Sequence, residues 1–156
     1  MTYEQVFQRL SALCARGEHC QYEMTEKMHQ WDVDEQTQAR LMARLVGERY
    51  IDDKRYAHAY VRDKIRYSHW GRRKVEQGLW QKHIDADIIE EALGEVDDSE
   101  YLEVLRPLLR QKARSTTGKS DYERRMKLMK WAAGRGFTMD IIRQCMDVSD
   151  EDELLD

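Results

Sequence analysis

Apolar positions along this chain recur at helical spacing almost from its first residue. Tyr3, Val6, Phe7 and Leu10 fall at i, i+3, i+4 and i+7, and Ile88, Ile89, Ala92 and Leu93 repeat the paired rhythm. One larger pattern returns about every fifty residues. The segments VDEQTQARLM (33–42), IDADIIEEAL (84–93) and FTMDIIRQCM (137–146) each read as an apolar residue, a small polar cap, two spacers and paired apolar positions. Thr37 and Gln38 make the pair weak in the first copy. Asp34, Asp85 and Thr138 thereby take equivalent N-cap positions, where a side-chain oxygen accepts a hydrogen bond from an orphan helical amide.

Upstream of each such helix the spacing predicts another, over 22–31, 71–82 and 122–133, and upstream of that a third, over 3–16, 53–66 and 99–114. The expected fold is all-α: three tandem three-helix repeats, 1–51, 52–97 and 98–148, followed by an acidic tail at 149–156. A single repeat has little core, so stacking would bury the shared faces and produce an elongated, curved array. Pro107 falls inside the seventh predicted helix, where it should kink or divide it.

Composition agrees with helix. The chain has one proline and eight glycines, with 41% hydrophobic and 36% charged residues, so surface outweighs core. No apolar run approaches the roughly 18 residues of a membrane span, and MTYEQVFQRL lacks the basic and apolar regions of a signal peptide. A cytoplasmic location and no membrane partner are expected. Cys14, Cys20 and Cys145 are odd in number and show no CxxC spacing, which favours free or buried thiols over disulfides.

Charge changes the picture more than composition does. Residues 1–53 hold 6 Lys and Arg against 10 Asp and Glu, but residues 54–82 hold 9 against 2, as do residues 106–130. The stretch 147–156 carries six acids and no base. A mildly acidic protein thus has two basic segments, suited to a polyanion, to an acidic protein surface, or to solvation alone.

The stretch YIDDKRYAHAYV (50–61) tests whether any of this is catalytic. Asp52 and Asp53 precede an apolar helical pattern as Asp98 and Ser99 do, and read as an N-cap and a first-turn acid. Tyr56, Tyr60 and Val61 would form the buried stripe, with Arg55, Arg62 and Lys64 outward. No nucleophile elbow, phosphate-binding glycine loop or HExxH pattern is present, and Cys14, His19 and Cys20 lack the second ligand pair of a metal site. His58, His69 and His83 read as surface or packing residues, and no cofactor or catalytic activity is expected. Trp31, Trp70, Trp80 and Trp131 read as packing residues, Trp70 being the candidate exception.

Trp70 belongs to the most suggestive local feature. RDKIRYSHWGRRKVEQGLWQK (62–82) sets Arg62, Lys64, Arg66, Arg72, Arg73 and Lys74 around Tyr67 and Trp70. Gly71 opens the next helix, whose N-terminal amides attract anions. Aromatics interleaved with Arg and Lys can stack on bases and neutralise phosphates, and can equally grip carboxylates on a protein.

The run from Tyr50 to Leu93 resembles the RecX family, regulators of the RecA recombinase. The features that carry the resemblance are Tyr50, Ile51, Asp52 and Asp53 followed by Arg55, Tyr56 and Ala57, the Gly71-Arg72 helix opening, and the isoleucine- and glutamate-rich helix 84–93. The third copy is similar at Arg135, Gly136, Phe137, Thr138, Ile141 and Ile142. Arg49 stands where many members have glycine, a difference that touches a helix C-cap.

This resemblance implies three tandem three-helix repeats, the same period found from the residues. It also implies a modulator, mainly an inhibitor, that binds in the groove of the RecA–DNA filament and restrains ATPase and strand exchange; a monomer is expected. The alternative is a general nucleic-acid-binding helical repeat, with single- or double-stranded DNA as partner. Charge and placement select Arg66, Tyr67, Trp70, Arg72, Arg73 and Lys74 as the central partner-binding surface, continued by Arg110, Lys112, Arg114, Arg124 and Arg125.

Overall fold

The computed structural model describes residues 1–146, so the predicted acidic tail lies outside the described residues. Every regular element among the described residues is helical: α1 (Tyr3–Arg16), α2 (Gln21–Gln30), α3 (Glu35–Gly47), α4 (Asp53–Arg66), α5 (Arg72–Gln81), α6 (Ala86–Gly94), α7 (Asp98–Ser115) and α8 (Asp121–Gly134), then helical turns over 139–146.

Local chemistry starts these helices where the spacing predicts. Thr2 accepts the Gln5 amide at 3.2 Å and Gln5 Oε1 accepts the Thr2 amide at 2.9 Å, a capping box that opens α1. Asp34 accepts the Thr37 amide at 3.1 Å, Asp52 that of Arg55 at 3.1 Å, and Ser120 that of Glu123 at 3.1 Å. The oxygen of Thr138 accepts the Ile141 amide at 3.4 Å, and Asp85 immediately precedes α6.

The repeat is also written in the backbone. At the junction before each third helix a residue turns into the left-handed region: Asp32 at φ 54°, His83 at 56° and Gly136 at 97°. Its amide bonds three residues back, and the amide of the next, apolar residue bonds five back: Val33 to Met28 at 3.0 Å, Ile84 to Leu79 at 3.2 Å, Phe137 to Ala132 at 3.3 Å. This is the Schellman closure of a helix, made three times about fifty residues apart. Arg49, at φ 64°, closes α3 in the same way through the Arg49 and Tyr50 amides.

The chain packs as two compact units. The first comprises Met1–Tyr60 and Leu79–Ala92. Val6, Phe7, Leu10, Met24, Met28, Leu41, Leu45 and Ile51 form its core, with α1 and α2 laid on α3. Full burial of such side chains is worth about 1.5–3 kcal/mol each. Buried Tyr56 and half-buried Tyr60 also belong to this unit, and Arg55 is exposed, its guanidinium 2.7 Å from Glu18. The second comprises, among the described residues, 61–78 and 93–146, with α7 packed on α8 and Val61, Ile65, Val75, Tyr101, Leu105, Phe137 and Ile142 buried.

Two expectations are corrected. The seventh helix is not divided: α7 runs unbroken through Pro107, which lies on the exposed side, where water can meet the carbonyl that loses its amide partner. Trp80 is not a packing residue, being 52% exposed, whereas Trp31, Trp70 and Trp131 are half-buried. The three thiols are unpaired: Cys20 and Cys145 are buried and Cys14 is half-buried. Burial is the largest influence on the Cys20 thiol, pushing its pKa up to about 11. Its Sγ–H points at the Lys82 carbonyl, 3.9 Å away. His19 contacts Glu23 at 3.3 Å.

Candidate partner interface

The loop between α4 and α5 carries the first basic group, and backbone geometry holds it. Gly71 has no side chain because none would fit: a Cβ there would lie 2.2 Å from the Phe137 nitrogen and 2.4 Å from the Gly136 carbonyl carbon. At this close approach the Gly71 amide donates to the Arg135 carbonyl at 2.9 Å and the Arg73 amide to the Gly136 carbonyl at 2.9 Å. Gly136 is required from the other side, since a Cβ on it would meet the Lys74 Cβ at 2.5 Å. Of the amides at the opening of α5, those of Gly71 and Arg73 are thus taken by the 135–136 turn.

Arg135 then braces the loop from a second direction. Its Nη2 donates to the Ser68 carbonyl at 2.8 Å and its Nε to the His69 carbonyl at 3.3 Å, next to the left-handed turn at His69. Its guanidinium also lies 5.4 Å from the Trp131 ring centre. On this frame Trp70 is flanked by two ammonium groups, Lys64 Nζ at 4.7 Å and Lys74 Nζ at 4.6 Å. Each such contact contributes about 0.5–1 kcal/mol at an exposed site, and together they hold two positive charges around one indole. Tyr67, 78% exposed, belongs to the same loop, and Arg66, Arg72 and Arg73 on its flanks are exposed. Arg72 also lines a small cavity with Asp98 and Tyr101. Burial pushes the Tyr101 hydroxyl up to about 12, against the opposing pull of the Arg72 charge.

The second basic group forms a different structure. Arg110 and Arg114 on α7 and Arg124 and Arg125 on α8 line one cleft of about 550 Å³. Lys112 is not part of it, its ammonium lying 5.6 Å from the Trp131 ring centre. Trp131 therefore touches Lys112 on one hand and Arg135 on the other, and Arg135 holds the 68–71 loop. Charge and placement along the chain select neither Arg135 nor Lys64 for this surface. Lys64 has a readable signal, a cation six residues before Trp70 to match Lys74 four after it. Arg135 is singled out in the sequence only by the family resemblance, and no spacing places it at this loop, because its bonds there span 66 and 67 residues.

The braced basic-aromatic loop and the arginine-lined cleft are carried by an all-α chain built from three-helix modules. Two domain models identify which: the second three-helix domain of RecX matches residues 52–93 and the third matches 98–146, together more than half of the chain. The chain belongs to the RecX family.

It is 30% identical over 129 residues to the regulatory protein RecX of Leuconostoc mesenteroides, covering 83% of this chain and 48% of that one. It thus spans about half the length of that relative. Against the regulatory protein RecX of Vibrio campbellii the identity is 29% over 140 residues, covering 90% of this chain and 88% of the relative. The crystal structure of RecX from Lactobacillus salivarius superimposes with a TM-score of 0.85 at 24% identity, covering 95% of this chain and 96% of that one, which shows the shared all-α fold.

Proposed function

We propose that this chain is a RecX-type modulator of the RecA recombinase, acting in the cytoplasm as a monomer and mainly inhibiting. It binds in the groove of the RecA–DNA filament and restrains ATPase and strand exchange by occupancy, without chemistry of its own. Family membership supports the partner. The observation that carries the reading is that every residue selected for contact, from Arg66 to Lys74 and from Arg110 to Arg125, belongs to one compact unit, and none is buried. Such a unit suits a partner that offers negative charge along its length.

The test is RecA-dependent ATP hydrolysis on single-stranded DNA with this protein added at stoichiometric amounts, alongside a filament pull-down. Slowed hydrolysis and retention on assembled filaments are expected, and an unchanged rate sinks the proposal. The second reading, a general DNA-binding helical repeat, draws on Trp70 between Lys64 and Lys74, with exposed Tyr67 in the same loop, an arrangement on which a base can stack. It requires binding to bare DNA that falls steeply with salt, because counterion release dominates phosphate contacts. Among the described residues, no helix is long and apolar enough to cross a membrane.

A further inference from the structure

The cleft between α7 and α8 has a composition that a nucleic-acid backbone does not call for. Leu109, Leu128 and Met146, between 5% and 8% exposed, contribute apolar walls beneath the arginines. Tyr122, 73% exposed, adds an aromatic face at the margin. Among the described residues Asp121 is the only acid in the lining and lies 4.0 Å from Arg124, so that Arg110, Arg114 and Arg124 give the lining more positive than negative charge. The volume, about 550 Å³, falls within the roughly 300–1,000 Å³ of clefts that take a ligand. The complement of such a site is an acidic segment carrying apolar side chains.

One such segment of the chain begins in the wall of the cleft. Met146 is followed by DVSDEDELLD (147–156), with six acids, no base, and the adjacent pair Leu154 and Leu155. We propose that the α7–α8 cleft is the seat of this chain's own segment 147–156, which thereby masks Arg110, Arg114, Arg124 and Arg125 from external polyanions. Ten residues extend at most about 33–36 Å, so a segment tethered at Met146 stays near the cleft. Tethering of this kind gives an effective concentration in the millimolar range, enough for a weak, salt-labile contact to be occupied and still yield to a multivalent partner. The seat itself does not depend on RecA being the partner. Its regulatory consequence rests on the polyanion-facing role proposed above.

The decisive experiment uses the full chain with Leu155 replaced by the photocrosslinker p-benzoylphenylalanine. Intramolecular crosslinks to residues 109–114 and 121–128 are expected at 50 mM salt. Their yield should fall at least fivefold at 0.5 M salt and in the Arg110→Glu, Arg124→Glu background. Crosslinks to other helices, crosslinked dimers, or a yield indifferent to charge reversal and salt overturn the proposal.

A second readout follows the consequence. Asp150→Asn, Glu151→Gln, Asp152→Asn and Glu153→Gln in the full chain should tighten binding of a single-stranded oligonucleotide about fivefold, with no gain in an Arg110→Ala, Arg124→Ala background. A gain that persists there assigns the effect to net charge and overturns the cleft as its origin. If neither form binds the oligonucleotide, the DNA-binding reading fails, and the crosslink alone decides the seat.

Discussion

The carboxylate of Asp53 accepts the main-chain N–H of Gln21 at 3.0 Å, so the first-turn acid of α4 also closes the N-terminus of α2. The adjacent Asp52 caps α4 itself through the Arg55 amide. The acidic pair thus serves two helix ends.

Asp53→Ala removes the acceptor for an orphan amide of α2 and should lower stability by about 1 kcal/mol, read by chemical denaturation. Asp53→Asn keeps an oxygen there and behaves differently with pH. Burial, the largest influence, together with the negative charges of Asp85 and Asp52, raises the Asp53 pKa above its ordinary 3.8, while the Gln21 amide opposes this. The native state therefore holds this proton more tightly than the unfolded chain does. The penalty for charging the carboxyl is absent below pH 3.8, grows as pH rises through the raised native value, and is complete above it. Relative to wild type, Asp53→Asn should gain stability across that window as pH increases. A flat difference from pH 3 to 6 would show that this carboxyl does not govern it.

Gly71→Ala places a methyl where backbone atoms of Gly136 and Phe137 already stand at 2.4 and 2.2 Å. Backbone on both sides cannot swing away, so a destabilisation of about 3 kcal/mol is expected, at the upper end for overpacking. Gly134→Ala, where an added Cβ meets nothing within 4 Å, is the comparison. Equal melting temperatures for the two variants would contradict the close approach.

Arg49→Gly should act in the opposite direction. Arg49 holds φ 64°, a conformation that costs an L-residue about 1–2 kcal/mol and glycine almost nothing. The entropy glycine adds to the unfolded chain takes back about 0.4–1 kcal/mol, leaving a net gain of about 0.5–1 kcal/mol. A thermal melt reads the result, and a decrease in melting temperature would mean that the arginine side chain offsets the strain.

Replacing Arg72, Arg73 and Lys74 together by alanine should weaken retention on RecA filaments at least tenfold while circular dichroism keeps its helical intensity. If bare DNA is the partner instead, the slope of log affinity against log salt should also fall by about 0.7–0.9 for each phosphate that is no longer neutralised. Unchanged affinity for both partners would remove this patch from the interface.

Much of this molecule is legible along the chain. Helix starts depend on neighbours three residues apart and amphipathic faces on neighbours three or four apart. Asp34, Asp52, Thr138 and the fifty-residue period can therefore be placed from spacing alone. The two basic segments are legible likewise, since charge is a property of composition, and the motif run from Tyr50 to Leu93 carries the resemblance to RecX. Packing decides what spacing cannot. It sends the Asp53 carboxylate to Gln21, turns the Gly71 and Arg73 amides onto the carbonyls of Arg135 and Gly136, separates Lys112 from the arginines around it, and leaves Trp80 exposed. It also gathers Arg110, Arg114, Arg124 and Arg125 into one cleft. The physical reason is range: a cap or a helical face is specified by neighbours within one turn, whereas a buried amide or a shared cleft takes its partners from whichever helix arrives opposite, and no spacing within one segment encodes that arrival.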